Sequence, residues 1–272
     1  MLLFWSPVRE AYVVGTLPPL RILMTWELER RFDNVNAKSM STATYQRKMQ
    51  EKKEWCPGWE AITDAFQKQY GTHAVFIPHS VENGELSPLD GVGVYHIPGA
   101  YLHLVTRGLT AIHANPDAFG SRTSGWGYEL TLKWPAGYEK CLPQAIWLME
   151  RVAQRIEINK HSIRNKTWQE LGPLEPSLQR YGDRFCGLLF VPDTSVPTIH
   201  TLHGNVEFRQ MVNLTGGEVE ELKRTPSILA QLLFRMKRQN PLMLMEPRRQ
   251  HEYLLLTSPP PDAPSCAQAP KT

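Results

Sequence analysis

The sequence predicts an α+β fold, a mixed, mostly antiparallel sheet with helices packed against it. Three observations carry that expectation. Strand-like runs and helical periods mix along the chain without the strict alternation that a parallel βαβ sheet needs. Two alternating, β-branched runs, Val92–Ile97 and Tyr101–Thr106, flank Pro98-Gly99 as a hairpin would. A strand pattern at Tyr128–Trp134 is followed, from Pro143, by a long amphipathic helix pattern.

Residues 1–39 lack a clean strand or helix period, apart from a short helical pattern at Thr25–Arg31. Their apolar residues are broken by Arg9, Glu10, Pro18, Pro19 and Arg21, so they read neither as a signal peptide nor as a membrane span. Met40 opens a polar stretch, STATYQRKMQEKKEW. Residues 1–50 are therefore expected to form a poorly ordered extension, with Met40 or Met24 as the natural start. The domain proper is expected over 51–256. Ile62, Phe66 and Tyr70 fall four apart in Trp59–Tyr70, one face of a helix, and Gly71 is a fitting stop. His73–Ile77 reads as a short strand ended by Pro78, and Val81–Pro88 as turns. The hairpin follows, then a loop at Asn115–Gly125.

In the next strand Tyr128, Leu130, Leu132 and Trp134 share one face, while Glu129, Thr131 and Lys133 share the other. The helix running to about Asn159 sets Ile146, Met149, Val152, Ala153 and Ile156 on one side. Its Pro143 falls in the first turn, where a missing N–H costs nothing. Trp168–Arg180 reads as a loop. Cys186–Val191 reads as a buried strand and Val206–Leu214 as another. Glu218–Arg224 and Ile228–Met236 are helical, Leu242–Glu246 and Tyr253–Leu256 close the fold, and the Pro-rich residues 257–272 are expected to be disordered.

Composition narrows the function. The 272 residues are 42% hydrophobic and 21% charged, ordinary for a chain that buries a core. A net charge of +3 argues against nucleic acid or an anionic membrane as partner. Cys56, Cys141, Cys186 and Cys266 form no C-x-x-C pair, which suits reduced thiols in a cytoplasmic protein better than a disulfide framework or a structural zinc. The sequence holds no G-x-S-x-G elbow, no phosphate-cradling loop and no H-E-x-x-H. Gly91-Val-Gly93 lacks the third glycine and the helix of a dinucleotide site.

Two histidine pairs invite a metal reading: His200 with His203 beside Gly204, and His96 with His103 across the hairpin. No carboxylate or cysteine completes either set, and histidines bonded to backbone or water are the simpler reading. Glu129 as a general base would need a titratable partner and a cleft. The alternative is a strand-face carboxylate bonded to backbone or paired with a base such as Lys133. Cys186 reads as a small buried hydrophobe and Asp193, after Pro192, as a turn residue.

The order of the segments says more than any one of them. SPLDGVGVY (Ser87–Tyr95), YLHLVTRGLTAI (Tyr101–Ile112) and SGWGYELTLKW (Ser124–Trp134) precede the Pro-led helix. GLLFVPD (Gly187–Asp193), HGNVEFRQMVNLTGGEVEELK (His203–Lys223) and NPLMLMEPRRQHEY (Asn240–Tyr253) follow it. This succession, over about 55–255, resembles the suppressor-of-fused domain. The resemblance implies that Glu129 belongs to a fold signature and that the domain binds protein without catalysis or a cofactor. Animal members restrain zinc-finger transcription factors of the Hedgehog pathway, clasping an extended segment between this domain and a second one. At 272 residues the chain is expected to lack that second domain, and it is similar to single-domain bacterial members, often inferred to be immunity proteins.

The expected partner is therefore a cognate toxin domain of a polymorphic toxin system. A regulatory protein partner and a metal-binding or hydrolytic enzyme remain the alternatives. Gln154-Arg155-Ile156 stands where the family's helix carries an aromatic, and Lys160 stands before His161 where animal members place an acid, which implies a changed partner. Neutralising a toxin needs a rigid surface of roughly 800 Å² per partner with aromatic and Arg anchors. The expected anchors are Trp126, Arg155, Lys160, His161, Trp168 and Tyr181. The mild positive charge argues against a nuclease toxin.

Overall fold

Alternation of apolar residues builds one eight-stranded sheet, which the computed structural model describes through residues 40–79, 87–171, 184–249 and 251–254. The chain divides into units 1–31 and 32–272, and all of these residues lie in the second. The strands are β1 (Val75–Pro78), β2 (Gly91–Ile97), β3 (Tyr101–Arg107), β4 (Thr123–Pro135), β5 (Thr167–Glu170), β6 (Gly187–Pro192), β7 (Ile199–Thr201) and β8 (Gly204–Leu214). Their order is β1-β2-β3-β4-β8-β6-β5, with β7 also pairing β8. Every pairing is antiparallel except β4 with β8. The mixed, mostly antiparallel α+β architecture is as the sequence predicts.

The described helices are α1 (Thr42–Glu51), α2 (Pro57–Tyr70), α3 (Leu142–Asn159), α4 (Gly216–Arg224) and α5 (Leu229–Gln239). Helix α2 ends in Gly71 at φ 66°, a left-handed residue that glycine adopts without strain. Helix α4 opens on a capping box between Thr215 and Glu218. Helix α3 lays Ala145, Leu148, Met149, Val152, Ala153 and Ile156 against Leu104, Leu130, Leu132, Trp134, Leu188 and Phe190 on one face of the sheet. The other face divides. At one end α2 inserts Ile62 and Phe66 among Tyr95, Val105, Val206 and Phe208. At the other, α4 and α5 bring Val219, Leu222, Leu232 and Met236 onto Leu189, Val191, Val212 and Leu214. Both faces of β4 are thus covered, and Glu129, Thr131 and Lys133 are as buried as the apolar residues that alternate with them.

Two sequence expectations change, and two features go beyond them. The stretch assigned to the N-terminal extension contains α1, capped by Ser41, and its Tyr45 is fully buried beside Trp55, Phe119 and His203. The Tyr45 hydroxyl accepts from the Asn115 N–H at 2.7 Å and bonds His203 Nε2 at 2.7 Å, so α1 is stitched into the domain. The start of the expected loop at Trp168–Arg180 is strand, because Trp168 pairs with Leu189 in β5. Leu242–Glu246 closes the fold without forming a strand. Side chains of β8 take up its polar backbone instead: Gln210 Nε2 donates to the Leu242 and Met243 carbonyls, and Asn213 exchanges bonds with Glu246. The three-residue β7 had no sequence signal. The Thr25–Arg31 helix, Tyr181, Cys266 and residues 257–272 lie outside the described residues. Among the described residues no helix is long and apolar enough to cross a membrane.

Tyr45→Phe should lower the unfolding free energy by about 1–3 kcal/mol, because it strands a buried imidazole nitrogen and a partly buried N–H while keeping the ring. Urea denaturation checks this; an unchanged midpoint would show that α1 is not stitched to the domain.

Candidate protein-interaction surface

The residues SGWGYE, Ser124–Glu129, hold down the turn that follows β3. Glu129 is fully buried at the centre of the sheet. Its Oε1 accepts from the backbone N–H groups of Gly108 at 3.2 Å and Thr110 at 2.9 Å, and from the Thr110 hydroxyl at 2.6 Å. Its Oε2 accepts from the Thr106 hydroxyl at 2.6 Å and the Leu109 N–H at 3.4 Å. The Ser124 hydroxyl accepts from the Ala111 N–H at 3.0 Å, and the Trp126 N–H donates to the Leu109 carbonyl at 2.9 Å. Gly125, at φ 51°, lies so close that an added Cβ would stand 2.6 Å from the Leu109 carbonyl oxygen. Burial pushes the Glu129 carboxyl up, while the bonds from Thr106, Thr110 and the turn backbone draw it back. Glu129 has turn backbone as its partner. Lys133, named as a candidate base for it, serves Asp193 instead.

The clamped turn and Trp126 form a shallow, open groove lined by Gly108, Leu109, Thr110, Ala111, Gly125 and Trp126. The Trp126 ring is half-buried and its Nε1 donates to Glu157 Oε2 at 3.3 Å. Lys160 closes on the other oxygen of Glu157 and holds that carboxyl below its ordinary value. Lys160 is the left-handed residue that ends α3, at φ 50°. Arg155 and Ile158, three apart on α3, are exposed, Ile158 at 78%, and His161 is exposed just beyond. The fold thus joins Trp126 to the end of α3 that carries Arg155, Lys160 and His161. Trp168 lies elsewhere, packed with the α4 and α5 cluster on the opposite sheet face. Ile158 and Glu157 were missed in the sequence because a helix period marks its buried face and says nothing of exposed neighbours.

Behind the groove the polar face of the sheet holds a second network. Asp193 Oδ2 accepts from His103 Nε2 at 2.9 Å and the Thr131 hydroxyl at 2.6 Å, while Oδ1 accepts from the backbone N–H groups of Ser195 and Val196. Lys133 Nζ stands 3.7 Å from Oδ1. Burial works against the Asp193 charge, yet His103, Lys133 and Thr131 hold its carboxyl far below the usual range. Burial pushes His103 down against the pull of Asp193, and its Nδ1 meets the Tyr70 hydroxyl 2.6 Å away. The proposed histidine pairs separate. Register sets His96 against Leu102 and Tyr95 against His103, so the two imidazoles point to opposite faces. His200 bonds Asn205 at the surface, whereas buried His203 bonds Tyr45 and the Ala111 carbonyl. Among the described residues no three of His, Cys, Asp and Glu converge as metal ligands would.

The profile of the suppressor of fused protein family matches residues 86–250. The fold is similar to the crystal structure of the Sufu–Fu complex, at 21% identity and a TM-score of 0.58, covering 72% of this chain and 92% of that one. It is also similar to the crystal structure of Drosophila Suppressor of Fused, at 19% identity and a TM-score of 0.60, covering 74% of this chain and 52% of that one. This chain therefore corresponds to about half of the Drosophila protein. No curated protein sequence matches it.

Glu129→Gln places amide hydrogens against N–H donors and should cost about 2–3 kcal/mol in urea denaturation; a neutral substitution would show that the turn does not depend on the carboxylate. Burial lowers the proton affinity of His103 and of His203. The unfolded chain therefore takes up those protons first as pH falls through ~6.5, and that part of the stability is lost below it. Glu129, shifted the other way, opposes the trend. The expected result is that His103→Gln flattens the loss of unfolding free energy between pH 7.5 and 5.5 relative to wild type, by up to about 1.4 kcal/mol per pH unit. Parallel curves would mean that His103 is protonated in the fold.

Proposed function

The chain belongs to the suppressor of fused protein family, whose profile spans more than half of its residues, and from that premise we propose that it is a protein-binding domain that seats its partner on the groove beside Trp126 and on the end of α3. One observation carries the reading. Trp126, a large half-exposed aromatic, is held by a backbone bond to the turn that Glu129 fixes and by a bond to Glu157, whose neighbour in α3 is the exposed Ile158. Rigid aromatic and aliphatic groups ringed by Arg and Lys are the usual anchors of protein interfaces, because little conformational freedom is lost on binding.

The partner is a cognate toxin domain, neutralised by stoichiometric binding. What supports this is the preorganisation of the surface: blocking a toxin demands a slow off-rate, and a surface that needs no rearrangement on docking favours it. Arg155, Lys160 and His161 favour a partner with an acidic face. A regulatory protein is the second reading, supported by the similar fold seen in the Sufu–Fu complex.

Co-expression with a toxin encoded beside the gene should restore growth and yield a co-purifying complex. Ile158→Asp and Trp126→Ala should each weaken that complex at least about 30-fold, the scale of an interface hot spot, with thermal melts unchanged for Ile158→Asp. Trp168→Ala should leave binding intact. A complex that ignores the first two variants places the contact elsewhere; no rescue and no complex removes the toxin and favours a regulatory partner.

A further inference from the structure

Away from the Trp126 surface, three chemistry-bearing side chains from separate segments meet in a line. Cys56 caps the N-terminus of α2, His113 follows the clamped turn, and Asp90 precedes β2. Cys56 Sγ lies 3.3 Å from His113 Nδ1. His113 Nε2 lies 2.7 Å from Asp90 Oδ2. This is the order of nucleophile, base and orienting carboxylate. The carboxylate accepts a hydrogen bond from Nε2–H, the tautomer that turns the Nδ1 lone pair to sulfur. Residues 57 and 23 positions apart along the chain cannot be paired by any sequence spacing.

The line is built from rigid parts. The N–H groups of Gly58 and Trp59 donate to the Ile112 carbonyl at 3.1 and 3.4 Å, and the Ala114 N–H donates to the Trp55 carbonyl at 3.0 Å. Main-chain bonds to the α2 entry thus hold His113 on both sides. A Cβ at Gly58 would stand 2.3 Å from the Ala111 carbonyl oxygen, so this approach requires glycine. The Asp90 N–H donates to the Arg107 carbonyl at 2.7 Å, and its carbonyl accepts from the His79 N–H at 3.0 Å. Cys56 is half-buried, while the side chains of His113 and Asp90 are 64% and 42% exposed, so a small molecule has access. Two charges bear on the thiol from α2: the helix end favours a thiolate, and Glu60 of the first turn opposes it, though its carboxylate is bonded to Trp55 Nε1 at 3.2 Å. The thiol also donates to the Glu54 carbonyl at 3.4 Å, a resting contact that ionisation would release.

We propose that Cys56 is a nucleophilic thiol that takes up a low-molecular-weight disulfide by exchange, with His113 as its base and Asp90 positioning the imidazole. His113 Nδ1 accepts the thiol proton. The thiolate attacks one sulfur of the disulfide, an S–S bond forms to Cys56 as the original S–S bond breaks, and the other half leaves as a thiolate. His113 returns its proton to that leaving thiolate. One disulfide and one protein thiol become one mixed disulfide and one small thiol, with no other oxidant required. Such an adduct would place a charged group at the junction of α2 with the segment that continues from the groove.

The test uses the full chain and two probes, oxidised glutathione and iodoacetamide, with each cysteine followed by peptide mass mapping. Cys141 holds the corresponding position before α3 without the His113–Asp90 pair. At pH 7 Cys56 should be alkylated at least about tenfold faster than Cys141, with a rate midpoint below the ordinary thiol value of ~8.5. Oxidised glutathione should add one glutathionyl group, at Cys56. His113→Gln should bring the two rates within about twofold, and Asp90→Asn should raise the midpoint. Wild-type Cys56 reacting no faster than Cys141, a midpoint at or above ~8.5, or a His113→Gln rate equal to wild type each overturns the proposal. The wild-type profile decides alone if a variant fails to fold.

Discussion

A buried carboxylate that accepts backbone hydrogen bonds from a neighbouring turn is the constraint on which the rest of this structure depends. Glu129 sits in the middle of β4, with strands on both sides and helices over both faces. In that position a carboxyl group without partners would be expensive, because its charge could not be solvated. The turn after β3 supplies what water would, in the form of the Gly108, Leu109 and Thr110 N–H groups with two threonine hydroxyls. Neither partner is satisfied without the other. The turn acquires one conformation, and the strand acquires one register relative to it.

The same logic extends along the polar face. β4 carries Glu129, Thr131 and Lys133 where a strand covered on both sides would ordinarily be apolar throughout. Thr131 and Lys133 converge on Asp193, which turns back over the sheet after β6, with His103 of β3 completing its shell. Gln210 and Asn213 of β8 do the corresponding work for residues 242–246. Apolar packing assembles the layers, since it is non-directional and proportional to area. Directional bonds from this polar line decide where each connecting segment comes to rest. An interaction domain needs that division, because its contacts are presented by connections while its stability resides in the sheet.

Much of this architecture was legible in the residues. The alternation in Tyr128–Trp134, the period of α3 and α2, and the Pro98-Gly99 turn all report on local burial, and local burial is what a sequence pattern encodes. Partners far apart in sequence were another matter. That Glu129 would be bonded to backbone was one of two open readings, and choosing between them required knowing that the turn after β3 folds back under β4. Tyr45 looked like part of a polar lead-in because α1 buries this one residue among exposed ones, too little apolar surface for a period to register. Leu242–Met245 is an unbroken apolar run, which says nothing of the amide side chains of β8 that take up the backbone of this stretch. Of the expected surface anchors, Trp126, Arg155, Lys160 and His161 come to the end of α3, and Trp168 goes to the other face.

Residues 107–114 draw these threads together. Glu129 and Ser124 hold this segment from β4, the N–H groups of Gly58 and Trp59 hold it from α2, and the Tyr45 hydroxyl binds the next backbone N–H, at Asn115. His203, whose Nδ1 meets the Ala111 carbonyl, adds a fourth tie from the β7–β8 connection. A segment tied from so many sides has little freedom left to lose on binding, and so can display a groove on one flank and an oriented imidazole on the other. A contact made through Trp126 and a thiol set beside His113 would both rest on that one loss of freedom, incurred on folding and not again on docking.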